Sequence, residues 1–276
     1  MSGIHIFNHR AMATNFQVRV ADEEKTYAGQ AAQAVLALLE DLETRLSRFR
    51  ANSEISQIAE LDLGEKMRLS APVYACLKIA KAMEQATQGA FSPTATVRHQ
   101  QGESPAWSLL PMESSIRCDS GKVQLDLGAI GKGFALDCMG DVLREWSCPA
   151  FLLIAGGSSI LAGKAPANSK GWSCGLGEDQ AAERYWLQNA SLSGSGLAVQ
   201  GQHIFDPRTG GIARRQNRAW ALADSAAESD ALSTAAMVLD EMEISEVVLP
   251  NPNWLVFLEE SQGARPVGRR SLPVRA

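Results

Sequence analysis

The stretch LDLGAIGKGFALD at residues 125 to 137 runs an apolar strand into a glycine-rich turn and then into a helix. Gly128, Gly131 and Gly133 remove side chains where a ligand would approach the backbone. The N–H groups that open the helix would face an anion, because the helix dipole favours negative charge at that end. Lys132 adds a positive charge at the same place. The stretch therefore predicts a strand-to-helix unit suited to a phosphate group.

This turn differs from the loop of ordinary ATPases. A Walker loop has four residues between its first glycine and the Gly-Lys pair and a Ser or Thr after the lysine, whereas here two residues intervene and Gly133 follows. A tight strand-to-helix connection without a ligand is the alternative interpretation. Asp126 favours a ligand, because a carboxylate between two leucines needs donors or a cation to offset its desolvation.

The composition limits the class of protein. The chain has 276 residues, of which 45% are hydrophobic, a net charge of −5 and a pI near 5.5. It is long enough to bury one sizeable core, and its acidic balance argues against a general nucleic-acid binder, which carries a basic face. Four arginines follow residue 264. We therefore predict one domain over residues 1–264 and a solvated basic tail over residues 265–276.

Cysteine usage and hydropathy predict the compartment. The five cysteines form no CxxC pair, so neither a disulfide framework nor a zinc ribbon is indicated and a reducing compartment fits best. The first residues have no long apolar segment behind a basic start, and no later stretch approaches the roughly 18 apolar residues of a membrane span. We expect a soluble cytoplasmic protein without a membrane anchor.

Apolar spacing and turn residues predict the order of elements. Helices are expected over residues 26–49, from the Ser70 cap to before Gly89, from Gly131 to Trp146 and from Ser225 to Leu239, and strands within 151–159, 186–196 and 254–260. Strands and helices do not alternate strictly. The pattern therefore predicts an α+β fold, a mixed sheet flanked by helices.

The stretch SDALSTAAMVL at residues 229–239 holds a second candidate site. Asp230 and Thr234 are four residues apart and share one helical face. A carboxylate and a hydroxyl so placed suit a hard cation, magnesium or calcium, and magnesium typically takes few protein ligands and keeps water and substrate phosphate in its shell. Alternatively, Ser229 or Asp230 caps the helix and Thr234 bonds back to a carbonyl.

The stretch GQHIFDPRTGG at residues 201–211 combines turn chemistry with a histidine. His203 precedes Phe205 by two residues and is a candidate general base or phosphate donor, with a purely structural role as the alternative. The small, hydroxyl-rich loops at residues 156–159 and 193–196 are either close contacts of a nucleotide or crowded turns.

Taken in order, these motifs resemble the bacterial ApbE family of flavin transferases over most of the chain. The most specific segments are LDLGAIGKG, HIFDPRTG and DALSTA. The other similar segments are AMATNF at residues 11–16, LSRFRANSEIS at 46–56, GAFSPTA at 89–95, IAGGSS at 154–159 and SGSG at 193–196.

The resemblance implies a magnesium-dependent enzyme that transfers FMN from FAD, as a phosphoester, to a threonine hydroxyl of an acceptor flavoprotein and releases AMP. It implies a magnesium ion held by the Ala129 carbonyl, Asp230 and Thr234, and deprotonation of the acceptor hydroxyl by His203. The residues it assigns to FAD, the substrate, are Met12, Phe49, Ala90, Phe91, Ser92, Asp126, Lys132 and Phe205.

The chain departs from the family's pattern around the presumed adenosine and acceptor surfaces, where Ser193-Gly194-Ser195-Gly196 replaces the usual Ser-Gly-Asp-Tyr. Phe49 replaces the usual tyrosine and keeps its aromatic face, and Ser158 stands where many members have an acidic residue after Gly-Gly. Ser195 and Ser92 stand at aspartate positions. These changes leave the affinity and the choice of acceptor open. An FAD pyrophosphatase that gives free FMN and AMP, and a noncatalytic FAD-binding protein, remain the alternatives.

Overall fold

The computed structural model describes residues 3–101, 105–176, 183–196, 204–213, 215–261 and 263–276. Its helices are α1 (Lys25–Leu46), α2 (Glu54–Ile58), α3 (Ala71–Ala86), α4 (Ala95–Gln101), α5 (Gly131–Glu145), α6 (Ala226–Ala236) and α7 (Glu241–Val248). Its strands are β1 (His5–Ala11), β2 (Thr14–Val20), β3 (Lys66–Arg68), β4 (Trp107–Leu110), β5 (Ser115–Cys118), β6 (Phe151–Ala155), β7 (Ser159–Ala162), β8 (Trp172–Gly175), β9 (Arg184–Leu187), β10 (Ala190–Gly196), β11 (Arg218–Ala223), β12 (Leu255–Glu260) and β13 (Gly263–Gly268).

A large sheet with strand order β1-β2-β6-β7-β10-β11-β12-β13 forms the centre of the molecule. Two smaller sheets have the orders β3-β5-β4 and β8-β9. The α+β class predicted from the sequence is confirmed. Within the described residues every strand pairing is antiparallel, which refines the expected mixed sheet.

The central strands of the large sheet are buried on both faces, as strand β11 illustrates. Because side chains alternate along a strand, its alanines at positions 219, 221 and 223 face the main core, where α1, α5 and α6 pack. Trp220 and Leu222 face the opposite side, which the β8-β9 hairpin covers. The helices that carry the glycine turn and the DALSTA motif, α5 and α6, therefore lie side by side on one face of the sheet.

The predicted helices are confirmed, and their ends show the limits of the pattern. Helix α1 ends at Leu46 rather than at residue 49, because Ser47 takes an extended conformation. Helix α6 ends at Ala236 rather than at residue 239. The stretch 186–196 divides into β9 and β10, with a turn at Asn189, whose φ is +45°.

Three of the four C-terminal arginines form ion pairs with earlier residues. Arg265 lies in β13 and contacts Glu241 and Glu260, while Arg270 contacts Asp224. Strand β13 crosses the boundary expected after residue 264, and that division stays a prediction. None of the described helices combines the length and the apolar character that a membrane crossing requires.

Candidate active site

A cleft of about 1490 Å³ opens beside the first turn of α5. It exceeds the roughly 300–1,000 Å³ that drug-sized ligands occupy, so it has room for a larger molecule. The predicted site residues that line it are Met12, Phe49, Ala90, Phe91, Ser92, Asp126, Ala129, Lys132, Phe205, Asp230 and Thr234. The structure thus brings together candidates spread over more than 200 residues of sequence. His203 lies outside the described residues.

The carboxylate of Asp230 forms the floor of this cleft. It comes from α6, is 5% exposed, and accepts a hydrogen bond from the Gly133 N–H to Oδ2 at 2.7 Å. The Ser159 hydroxyl donates to Oδ1 at 2.6 Å. Lys132 Nζ lies 4.0 Å from Oδ2. Asp230 is therefore fixed by two neighbouring elements and faces the cleft with limited charge compensation.

The interpretation of Ser229 or Asp230 as the cap of α6 is wrong. Ser225 holds the N-cap position, and its side chain accepts from the Glu228 N–H. The expectation that Thr234 bonds back to a carbonyl is confirmed, because its hydroxyl donates to the Asp230 carbonyl at 3.1 Å. Because the Thr234 proton is donated there, Thr234 can only accept in its 3.2 Å contact with the Ser195 hydroxyl. A hydroxyl oxygen has two lone pairs, so one remains for a ligand.

Gly133 permits the close approach of α5 and α6. A Cβ atom at this position would lie 2.0 Å from the Ala226 carbonyl oxygen. The third glycine of the turn is thus required by helix packing, whereas no such contact is found around Gly131, whose nearest neighbour would be 3.8 Å away. The glycine pattern predicted a ligand approach, and at Gly133 the approaching group is another helix.

Asp137 links the same two helices in the opposite direction. Its carboxylate accepts from the Ser225 hydroxyl at 2.6 Å and from the Ala226 and Ala227 N–H groups at 2.7 and 2.9 Å. Burial raises the pKa of Asp137, and these hydrogen bonds oppose that rise. Asp137 of α5 therefore caps α6, while Asp230 of α6 caps the Gly133 N–H of α5. The sequence did not predict the capping role of Asp137, because this role depends on which helices pack together in the fold.

Asp126 shapes the glycine turn. Its Oδ1 accepts from the Gly128 N–H at 2.9 Å, and its Oδ2 accepts from the Thr96 hydroxyl at 3.1 Å and lies 3.4 Å from Arg48 Nε. The donors expected for this carboxylate are thus present. The strand predicted ahead of the turn is wrong, because residues 122–127 belong to no helix or strand. Lys132 extends from the same turn, with Nζ 3.4 Å from the Gly128 carbonyl.

The opposite rim of the cleft is more exposed. Phe49 is 82% exposed, and the Arg48 guanidinium lies 4.3 Å from its ring centroid. Met12 belongs to the tight turn between β1 and β2 and has a φ of +48°, a left-handed conformation that is uncommon outside glycine. The Ser92 hydroxyl bonds to Glu84 and, at 2.9 Å, to Thr94. These rim residues lie in loops.

The loop around Phe205 is held by an ion-pair network. Arg208 contacts Asp206 at 2.9 Å and Glu243 of α7 at 2.7 Å. Burial raises the pKa of Asp206, but the hydrogen bonds from Arg208 outweigh it and keep this pKa below its usual range. Backbone bonds from Thr209 and Gly210 to the Asp206 carbonyl confirm the predicted turn.

The architecture and the cleft define an α+β protein with a large cleft that both charged and apolar side chains line. The ApbE family model matches residues 12–255, and the chain belongs to the ApbE family. A relative, the FAD:protein FMN transferase of Haemophilus influenzae, is 24% identical over 90% of this chain and 84% of its own length.

Two solved structures share the fold. The ApbE protein of Thermotoga maritima has a TM-score of 0.82 at 21% identity and covers 96% of this chain and 97% of its own. The flavinyl transferase ApbE of Pseudomonas stutzeri, in its apo form, has a TM-score of 0.81 at 20% identity, with coverages of 96% and 94%. The single-domain fold expected from the resemblance is confirmed.

Proposed function

We propose that the chain is an FAD:protein FMN transferase that moves FMN from FAD to a threonine hydroxyl of an acceptor flavoprotein and releases AMP. The observation that carries this proposal is the placement of Asp230, Thr234, Ala129 and Lys132 along one cleft in a chain of the ApbE family. The activity of the Haemophilus influenzae relative supports the same reaction.

The donor set of the cleft fits magnesium. Each oxygen of Asp230 accepts one protein hydrogen bond and retains a lone pair, and Thr234 retains accepting capacity as well. Among the described side chains no group of three His, Cys, Asp or Glu residues forms a metal cluster, but magnesium typically uses only one or two protein carboxylates. Asp230, Thr234 and the Ala129 carbonyl would hold the ion, which when bound polarises the FAD pyrophosphate as a Lewis acid.

The protein's own groups bind FAD and balance charge. Lys132 would face the pyrophosphate, where its charge stabilises the phosphoryl oxygens. The opening N–H groups of α5, expected from the sequence to face an anion, are mostly bonded within the protein, since Gly131 donates to the Leu127 carbonyl and Gly133 to Asp230. Asp126 holds the turn that carries Lys132. On the rim, Phe49 offers an exposed aromatic face for stacking. The other FAD contacts are assigned to Met12, Ala90, Phe91, Ser92 and Phe205.

The transfer replaces the phosphoanhydride bond between FMN and AMP in FAD by a phosphoester bond to the acceptor hydroxyl. The acceptor hydroxyl oxygen bonds to the FMN phosphorus, the bond from that phosphorus to the bridging oxygen breaks, and AMP leaves with the electron pair. We assign the hydroxyl proton to His203, because the resemblance places it at the site and a histidine suits general-base catalysis near neutral pH. We further propose that one family domain spans residues 1–264 and that the acceptor is cytoplasmic.

Mass spectrometry of the products tests the proposed reaction. The purified chain is incubated with FAD, Mg²⁺ and a threonine-bearing acceptor domain, with EDTA and a valine-substituted acceptor as matched controls. AMP together with an FMN mass on the threonine acceptor alone is the expected result. AMP with free FMN would assign the chain to FAD pyrophosphatases, and bound but unchanged FAD would identify a noncatalytic flavin binder.

A further inference from the structure

Ser159 contacts the proposed metal ligand from beneath the cleft. It is the first residue of β7 and is fully buried, opposite Ala155 on β6 and Ser193 on β10. The turn before it contains Gly156 and Gly157, both with left-handed φ values of +59° and +71°. This turn lets the chain reverse tightly and enter β7 with Ser159 facing α6.

The Ser159 hydroxyl and the Gly133 N–H together fix both oxygens of Asp230. Ser159 donates to Oδ1 at 2.6 Å and Gly133 donates to Oδ2 at 2.7 Å, and the two donors come from different elements. The terminal torsion of an aspartate is broad on its own. Two bonds from fixed donors restrict that torsion and so determine where the remaining lone pairs of Asp230 point.

We propose that Ser159 is a positioning residue for the metal-binding carboxylate of Asp230. The inference rests on the proposed function, since it deepens the metal site assigned there. Partners that orient a ligand typically change metal affinity by about 10–100-fold when they are removed. Ser159 does not line the cleft itself, so its effect would reach the cation only through Asp230.

A nearby group of serines provides a matched control. Ser191, Ser193 and Ser229 are equally buried and bond to one another, at 2.7 Å between Ser191 and Ser229 and 2.8 Å between Ser193 and Ser229. The Ser191 hydroxyl also lies 2.8 Å from the Ile160 carbonyl. Among the described residues, Ser191 makes no hydrogen bond to Asp230. Ser191→Ala therefore removes a buried hydroxyl from the same sheet but removes no hydrogen bond to Asp230, the proposed metal ligand.

The test compares metal affinity in four proteins: wild type, Ser159→Ala, Ser159→Thr and Ser191→Ala. Calorimetric titration with Mn²⁺ in the absence of FAD measures binding directly, and the Mg²⁺ dependence of AMP release from FAD measures it during turnover. We expect Ser159→Ala to raise both the dissociation constant and the half-saturating metal concentration about 10–100-fold. The rate at saturating metal should stay close to that of wild type. Ser191→Ala should shift neither quantity, and Ser159→Thr, which keeps the hydroxyl, should restore both.

The inference is overturned if Ser159→Ala binds metal like wild type, if Ser191→Ala shifts affinity equally, or if wild type binds no divalent ion. A folded Ser159→Thr that behaves like Ser159→Ala would attribute the effect to packing and overturn it as well. Should Ser159→Ala not fold, Ser159→Cys fills the site with a weaker donor and is expected to shift affinity in the same direction. Metal binding without AMP release would contradict the proposed function alone, because the calorimetric comparison still decides the role of Ser159.

Discussion

The floor and the rim of the cleft are built differently. On the floor, Asp230 is 5% exposed and bonded to both α5 and β7. On the rim, Phe49 is 82% exposed and projects from a loop after α1. The groups proposed for chemistry are thus held by packed helices and strands, whereas those proposed for recognition stand in loops. Substitutions on the floor should affect catalysis or folding strongly, and substitutions on the rim should change affinity modestly.

The largest effect is expected from removal of the floor carboxylate. Asp230→Ala deletes the only charged member of the proposed metal set, and we expect magnesium-dependent AMP release to fall by at least ~10²-fold, equivalent to about 3 kcal/mol or more of transition-state stabilisation. Initial rates at saturating FAD measure the loss. Asp141→Ala, on the exposed face of α5, is the control and should keep the wild-type rate. Equal rates in all three proteins would contradict the metal assignment.

Gly133→Ala tests the helix contact beneath the floor. The added Cβ would meet the Ala226 carbonyl at 2.0 Å, and overpacking of this kind destabilises proteins by about 1–3 kcal/mol, occasionally more. We expect the free energy of unfolding to fall by about 3 kcal/mol in chemical denaturation. Gly131→Ala, whose nearest neighbour would be 3.8 Å away, is the control and should be much less destabilising. A similar loss of unfolding free energy in Gly133→Ala and Gly131→Ala would contradict the importance assigned to the α5–α6 contact.

Asp137, which joins α5 and α6 beneath the floor, makes the stability of the folded protein depend on pH. Burial raises its folded pKa above the ordinary value of 3.8, so the folded protein retains a proton that the unfolded chain has released. This stronger proton binding stabilises the folded protein. The stabilisation is fully present below pH ~3.8 and is lost as pH rises through the folded pKa of Asp137. We expect the stability of wild type relative to Asp137→Asn to decrease over this range. Urea denaturation at several pH values measures the difference, and a flat or rising difference would contradict the direction of the shift.

The smallest effect is expected on the rim. Phe49→Ala removes an exposed aromatic face, and we expect FAD to bind more weakly by about 1 kcal/mol, or roughly fivefold, without loss of stability. Phe49→Tyr keeps the face and should bind FAD like wild type. Fluorescence titration with FAD distinguishes the two variants. If Phe49→Ala lowered the rate of AMP release as much as Asp230→Ala does, the assignment of chemistry to the floor and of recognition to the rim would be wrong.

The sequence predicted the elements better than their contacts. The α5 helix and its glycine turn follow from local chemistry, and the structure begins the helix at Gly131 as expected. The shared face of Asp230 and Thr234 likewise follows from helical spacing. The roles of Gly133, Ser159 and Asp137 could not be predicted in this way, because each depends on a partner more than 70 residues away in the chain. The hydroxyl-rich loop at residues 156–159 did indicate an interaction, since buried hydroxyls need hydrogen-bond partners. The sequence did not show that the partner of Ser159 is Asp230.

The reciprocal capping of α5 and α6 also bears on how the cleft moves. The amide hydrogens of Gly133, Ala226 and Ala227 are each held by a carboxylate from the other helix. They can exchange with solvent only when the two helices separate, so these amides should exchange together and slowly, as one cooperative opening unit. We therefore expect the cleft to open by motion of the rim loops. Ligands would enter during these faster loop motions, while α5 and α6 stay in contact at the floor.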